Sequence, residues 1–288
     1  MAKQNSINWT LFVVLSVVWG SSFILMKTSA EHLDGLQIGS IRIFAAGICF
    51  LPWAVFHVSK IPIKKLGIVV LTGLLGNFIP ALLFASAIKE NGESSLASIL
   101  NSLTPLFVIV IGVMFFKAKV QSRKIAGVLV GFAGLVILNL LRGPISANDN
   151  GVLLILIATV FYGITVNLVT HYLKGIDGFK IASVSLTIMA IPSCIIMWQQ
   201  NVFTIARYDA EARWSIAVAC LLGVVGSAIA TGLYYVLIQK AGGLFASLVT
   251  YAIPIVAIMW GLLANENISS AQIGCLAIIL AGVYLANR

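Results

Sequence analysis

Trp19-Gly20-Ser21-Ser22-Phe23 lies in the first apolar stretch of the chain and returns 143 residues later as Tyr162-Gly163-Ile164-Thr165-Val166. The same offset carries Asp34-Gly35 onto Asp177-Gly178 and Ser40 onto Ser183. Gly73, Gly76 and Asn77 then meet Gly223, Gly226 and Ser227 at an offset of 150. Ala97, Pro105 and Gly112 meet Ala246, Pro254 and Gly261 at 149, and Ala133-Gly134 and Asn139 meet Ala281-Gly282 and Asn287 at 148. Such slow drift is what short loop deletions leave between two halves of one plan. Each half holds five apolar stretches. Five is odd, so the second half must enter a bilayer from the face opposite the first. Inverted repeats of this kind commonly enclose a site near the membrane midplane.

Composition demands the bilayer. Hydrophobic residues make up 60% of the chain and charged residues 9%, with a mean hydropathy of +1.05. A soluble domain carries about 25% charged residues, so this chain has too little polar surface to cover a core in water. The stretches run over 9–27, 36–57, 66–88, 94–116, 124–142, 151–172, 179–199, 213–239, 243–265 and 269–287. Most approach the ~20 residues that cross ~30 Å of hydrocarbon. Continuous apolar runs argue helix rather than alternating strand. The expected fold is therefore an all-α polytopic membrane protein of ten transmembrane helices in two inverted five-helix repeats. The first repeat is 1–142 and the second 151–288, joined by a linker at 143–150 in one membrane domain. The first stretch is too long for a secretory h-region and has a counterpart deep in the chain, so it reads as a retained helix. Cys49, Cys194, Cys220 and Cys275 all fall in apolar stretches and read as packed small residues, with neither a disulfide frame nor a metal site.

The net charge of +9 is a topology signal here, not one for nucleic acid. With a cytoplasmic N-terminus the inner segments hold twelve Lys and Arg and the outer ones five, Arg42 being inside a helix. The positive-inside rule then places both termini in the cytoplasm. Trp9 and Trp53 fall at inner helix ends and Trp198 and Trp214 at outer ones, as belt residues do.

This arrangement resembles the drug/metabolite transporter superfamily, in particular its EamA-type members. The resemblance spans nearly the whole chain. It is carried by Trp19-Gly20-Ser21-Ser22-Phe23 with Lys27, by Arg42, by Pro105 and Pro254, and by Asn265-Glu266 ahead of a last helix with Ala281-Gly282. One departure stands out. Where relatives often have an acidic residue after helix 4, matching Glu266 in the second half, this chain has Lys117. A role for that first carboxylate does not carry over. The resemblance implies an inner-membrane transporter with amino acids, other metabolites or drug-like solutes as cargo, and names no single substrate.

Polar residues at membrane depth need partners. Asn77, beside Gly73, Gly76 and Pro80, is either a cavity-lining amide or an interhelical hydrogen bond worth about 1 kcal/mol. Asn101, just before Pro105, has the same two uses, and Ser227 and Tyr251 hold the matching places in the second half. Trp19 and Tyr162 lie at mid-helix, away from either aromatic belt. Each offers a substrate a flat face and one donor, or packs on the neighbouring glycine. Phe78 adds to the same aromatic lining, while Trp260 reads as packing or lipid contact. Arg42 lies about six residues into helix 2, some ~9 Å deep. It snorkels outward, pairs with Glu31 or Asp34, or meets a substrate carboxylate; a structural or gating use is favoured. Lys27 is an outer-surface anchor or gate partner. Asn167 and His171 are inner-gate or interface groups. Pro80, Pro105 and Pro254 permit bends.

The nine carboxylates fall in loops or at helix boundaries, leaving His171 as the one marginal group for proton coupling. No P-loop pattern appears, so ATP drive is not indicated. No nucleophile–base pair, H-E-x-x-H or paired transmembrane Asp supports an enzyme. Neither a cofactor nor a metal is implied. The expectation is export or facilitated diffusion by alternating access, with helices 1, 3, 4, 6, 8 and 9 around a cavity. A proton-coupled multidrug or metabolite exporter, and then a channel or lipid scramblase, are the alternatives. A cavity with aromatic and amide groups and no fixed charge at its centre suits small neutral, zwitterionic or amphipathic solutes. The glycines of helices 5 and 10 serve scaffolding or a dimer contact, so monomer and homodimer both remain open.

Overall fold

The computed structural model describes residues 2–91, 97, 100–141, 149–263 and 270–287. Glu93, Asn265, Glu266 and most of the expected linker 143–150 lie outside the described residues, as does the side chain of Trp260. All regular structure described is helical, and the protein is an all-α polytopic membrane protein. Helix α1 is Ala2–Ser29 and α2 is Gly35–Val58. Helix α3 runs through Ile63–Gly73, a π-helical segment Leu74–Phe78 and Ile79–Asn91. Next come α4, Thr104–Phe116, and α5, Ser122–Leu140. In the second half α6 is Asp149–His171 and α7 is Gly178–Gln199. A short helix, Val202–Tyr208, leads to α8, which joins Ala210–Leu221, a π-helical segment Leu222–Ile229 and Ala230–Ala241. Helix α9 is Gly243–Ser247 continued by Val249–Leu263, and α10 is Ser270–Asn287. Six of the described spans are long and apolar enough to cross a bilayer.

Local chemistry sets the helix ends. Asp34 opens α2 with a capping box, its own N–H donating to Gln37 Oε1 at 2.8 Å. Its repeat mate Asp177 opens α7 by accepting from the N–H groups of Phe179 and Lys180 at 3.0 and 3.2 Å. Asp209 does the same for α8, accepting from Glu211 and Ala212. These backbone donors hold the Asp209 carboxyl below its ordinary value. Lys117 ends α4 in a left-handed conformation at φ 52°. Pro105 sits in the first turn of α4, not mid-helix as expected. Ser102 and Leu103 form a turn before it, because a proline fits a helix start and offers no N–H inside one. Pro254, by contrast, lies within α9.

Lipid gives helices little hydrophobic reason to associate, so close packing at small residues does the work. A Cβ at Gly73 would lie 2.8 Å from the Ser185 carbonyl oxygen, and one at Gly223 would lie 2.3 Å from the Arg42 carbonyl oxygen. Arg42 and Ser185 are themselves 143 apart, as are Ser22 and Thr165, which crowd Gly226 and Gly76. Contacts recur at the offsets at which the residues recur. Helices α2 and α7 pack extensively on each other, and α5 and α10 form the other large pair. In the latter a Cβ at Gly282 would meet the Gly131 backbone at 2.3 Å. The small-residue face of α5 is thus occupied within the chain. Large apolar side chains such as Phe56, Phe115 and Ile191 point outward, and Trp198 and Trp214 are exposed at helix ends.

Candidate functional site

Two π-helical segments, one in α3 and one in α8, frame the site. A π turn carries an extra residue and loosens the carbonyl ladder, and such bulges concentrate at functional sites. Each loosened stretch is met by a side chain. Asn77 Nδ2 lies 3.5 Å from the Thr72 carbonyl, and Trp19 Nε1 donates to the Gly226 carbonyl at 3.0 Å. Between these segments lies a cavity with an empty volume of about 860 Å³, counted to include its open part.

Of the residues expected to contact substrate, Trp19, Asn77, Asn101, Tyr162 and Ser227 line this cavity. Asn77 is a buried node. It donates to the Tyr235 hydroxyl at 3.2 Å and accepts from Thr231 Oγ1 at 2.9 Å. The Asn101 side-chain oxygen is approached by Thr104 Oγ1 at 3.5 Å. Trp19 meets Tyr234 edge-on at 4.9 Å, and Tyr162 stacks with Phe84 at 5.9 Å. Tyr234 and Phe84 are 150 apart, so the two aromatic pairs are repeat mates.

Two of the expected residues do not line the cavity. Phe78 belongs to the apolar core and does not line the cavity. Tyr251 is fully buried. Its hydroxyl donates to the Val128 carbonyl at 2.8 Å and its ring fills the space that Gly131 leaves on α5. One residue advances a helix by about 100°, so Thr250 faces the cavity and Tyr251 faces α5.

Arg42 is the larger correction. It reaches neither Glu31 nor Asp34, both of which are exposed, and it forms no ion pair among the described residues. Its side chain lines the cavity and its Nε donates to Ser227 Oγ at 2.6 Å. The cause is the close approach at Gly223, which brings α8 against the Arg42 backbone and sets Ser227, one turn on, beside the guanidinium. The cavity therefore holds a fixed positive charge, where uncharged groups alone were expected.

The remaining expected residues lie off the cavity. Asn167 donates to the carbonyls of Val108 and Gly163 at 3.0 and 2.9 Å and so ties α6 to α4. His171 stacks on Phe116 at 5.1 Å, and Lys27 is exposed near the end of α1. Pro80, Pro105 and Pro254 are buried in their helices. Sequence reasoning missed Thr231, Tyr234 and Tyr235, which lie four, seven and eight residues after Ser227 on one helical face. That spacing was readable. Thr165 was also missed as a site residue: it lines the cavity, is buried, and its hydroxyl has no hydrogen-bond partner among the described residues.

The EamA-like transporter family model matches residues 7–140 and again 149–288. Over 282 residues the chain is 27% identical to the uncharacterized inner membrane transporter YedA of Escherichia coli (strain K12), covering 94% of this chain and 87% of that one. An uncharacterized transporter of Archaeoglobus fulgidus is 23% identical, with 97% and 98% covered. A probable amino-acid metabolite efflux pump of Salmonella typhimurium is 28% identical over 130 residues, 44% of this chain and 41% of that one. One solved crystal structure of 16% identity superposes with a TM-score of 0.71, covering 99% of this chain and 97% of its own, a likeness of fold alone.

Proposed function

This chain belongs to the EamA-like transporter family, and from that premise we propose that it moves small amino-acid-like metabolites or amphipathic solutes across the plasma (inner) membrane. The cavity between α1, α3, α6 and α8 is the substrate site. It opens alternately to either face as two inverted five-helix repeats rock about it, with both termini cytoplasmic. Net movement is export or facilitated diffusion.

The observation that carries this reading is the repeat-related lining. Trp19 with Tyr234 and Tyr162 with Phe84 bring matching aromatic pairs from both halves to one cavity, and the glycine contacts beneath them recur at the same offsets. A site shared by two halves changes its access when the halves tilt, which is how inverted repeats serve transport. The 130 residues similar to the Salmonella protein support amino-acid metabolites as the first cargo to try.

The test is uptake into liposomes holding the purified protein, with pooled labelled amino acids and metabolites, under imposed pH gradients and membrane potentials. Saturable flux of one solute class is expected without a pH gradient. Trp19→Ala and Tyr162→Ala should each depress it while leaving a monodisperse protein. Normal flux in both variants rejects the cavity as the route.

A further inference from the structure

Arg42 is the one charged residue among the described groups lining the cavity. A guanidinium carries five N–H donors in a planar fork. The Nε donor goes to Ser227 Oγ, and the terminal nitrogens have no hydrogen bond or ion pair to any described residue. Even a half-buried charge at membrane depth is costly unless something compensates it. The cavity holds a second unmet group, the Thr165 hydroxyl, which is 3% exposed at the level of the residue and without a partner among the described residues. The neighbouring walls are aromatic, from Trp19, Tyr162 and Tyr234.

We propose that the cavity selects a monoanionic organic solute whose single carboxylate docks on the terminal nitrogens of Arg42 and whose apolar or aromatic body lies along Trp19, Tyr162 and Tyr234. This rests on the reading of the cavity as the substrate site and narrows its cargo. A carboxylate matches the guanidinium fork in shape and cancels its charge. A zwitterion brings the carboxylate together with an ammonium group. That group would meet no carboxylate among the described lining residues and would share the cavity with a like charge. A phosphate dianion would leave one negative charge without a second cation. The class that fits is the deaminated or N-acylated relative of an amino acid, or a simple aryl or alkyl acid. For such an anion, outward movement follows an inside-negative membrane potential.

The experiment measures binding to the full-length protein in lipid nanodiscs by titration calorimetry. The probes are N-acetyl-L-phenylalanine, 3-phenylpropionate and hexanoate, each against its own amide, with L-phenylalanine as the zwitterion. At least one acid should bind about 10- to 100-fold tighter than its amide and than L-phenylalanine, as a charge-assisted hydrogen bond implies. Arg42→Gln should erase that gap, and Arg42→Lys, which keeps the charge without the fork, should retain part of it. If Arg42→Gln yields no folded protein, Ser227→Ala takes its place and should narrow the gap about fivefold by releasing the Nε. Equal binding of every acid and its amide, preference for the zwitterion, or no binding by any acid overturns the proposal. Liposome flux separates this from the reading beneath it. Transport of neutral or zwitterionic solutes with no acid preference keeps the transporter and removes the anion site. Arg42-dependent acid binding without any flux keeps the anion site and removes the transporter.

Discussion

Gly73 admits α7 to α3 at the Ser185 carbonyl, and Gly223 admits α2 to α8 at the Arg42 carbonyl. The backbone contacts are mates, but the side chains above them are not. Ser185 turns back to the Ala182 carbonyl of its own helix at 3.2 Å, whereas Arg42 reaches across to Ser227 and into the cavity. One turn beyond each glycine the halves differ again. Asn77 is tied into a network with Thr231 and Tyr235, while Ser227 serves the guanidinium. Ser22 satisfies its hydroxyl on the Val18 carbonyl at 2.8 Å, and the hydroxyl of its mate Thr165 has no partner among the described residues. The repeat builds the walls, and departures from the repeat give the cavity its charge and its unmet hydrogen-bonding groups. Packing tolerates little divergence because two backbones must still touch. A lining side chain facing empty space is free to change.

The most damaging way to probe this comparison is to fill the mated glycines. Gly223→Val and Gly73→Val should both cost folded protein. Gly223→Val should be the worse, since its Cβ would meet backbone at 2.3 Å against 2.8 Å for Gly73. Yield and melting temperature by fluorescence-detected size exclusion read this directly. Equal tolerance of the two would mean that the tighter backbone approach at Gly223 does not set the cost.

Next in size is the charge itself. Arg42→Gln should lower carboxylate affinity about 10- to 100-fold, while its mate Ser185→Ala should leave binding untouched. A comparable loss from Ser185→Ala would show that both halves, and not their difference, set selectivity.

A smaller effect comes from the Asn77 node. Asn77→Ala removes a hydrogen bond from each of the Thr231 and Tyr235 hydroxyls and should destabilise the protein by about 1–3 kcal/mol. Thermal unfolding in detergent would show it, and an unchanged midpoint would reassign Asn77 from a structural node to a purely cavity-facing amide.

The smallest concerns the mated helix starts. Asp177→Ala removes a cap that accepts two backbone N–H groups and should cost about 1 kcal/mol. Asp34→Ala should cost no more, because Gln37 still satisfies the backbone N–H at position 34. Hydrogen exchange in the first turns of α7 and α2 compares the two.

Much of the architecture was legible beforehand, for reasons that differ by residue. Helix spans follow from the length of apolar runs, because a backbone in lipid must bond to itself. The glycine and Asp-Gly pairings follow from internal repetition. Trp19, Asn77, Asn101, Tyr162 and Ser227 could be placed at the cavity because depth along a helix is countable. Rotation about the helix was not. Tyr251 and Phe78 sit at suitable depths and point into the core, since a π turn or a break in a helix shifts every later residue around the axis. Arg42 was drawn toward nearby loop acids because a linear chain displays only neighbours in sequence.

By itself the sequence determined that the chain is a helical membrane protein of two similar halves, since hydropathy and repetition are properties of residue order alone. The tertiary structure decided where Arg42, Thr165 and Tyr234 meet. Their meeting depends on how closely α8 approaches α2 and how far the π turns rotate α3 and α8. Those are distances between segments far apart in the chain, set by packing at Gly73 and Gly223.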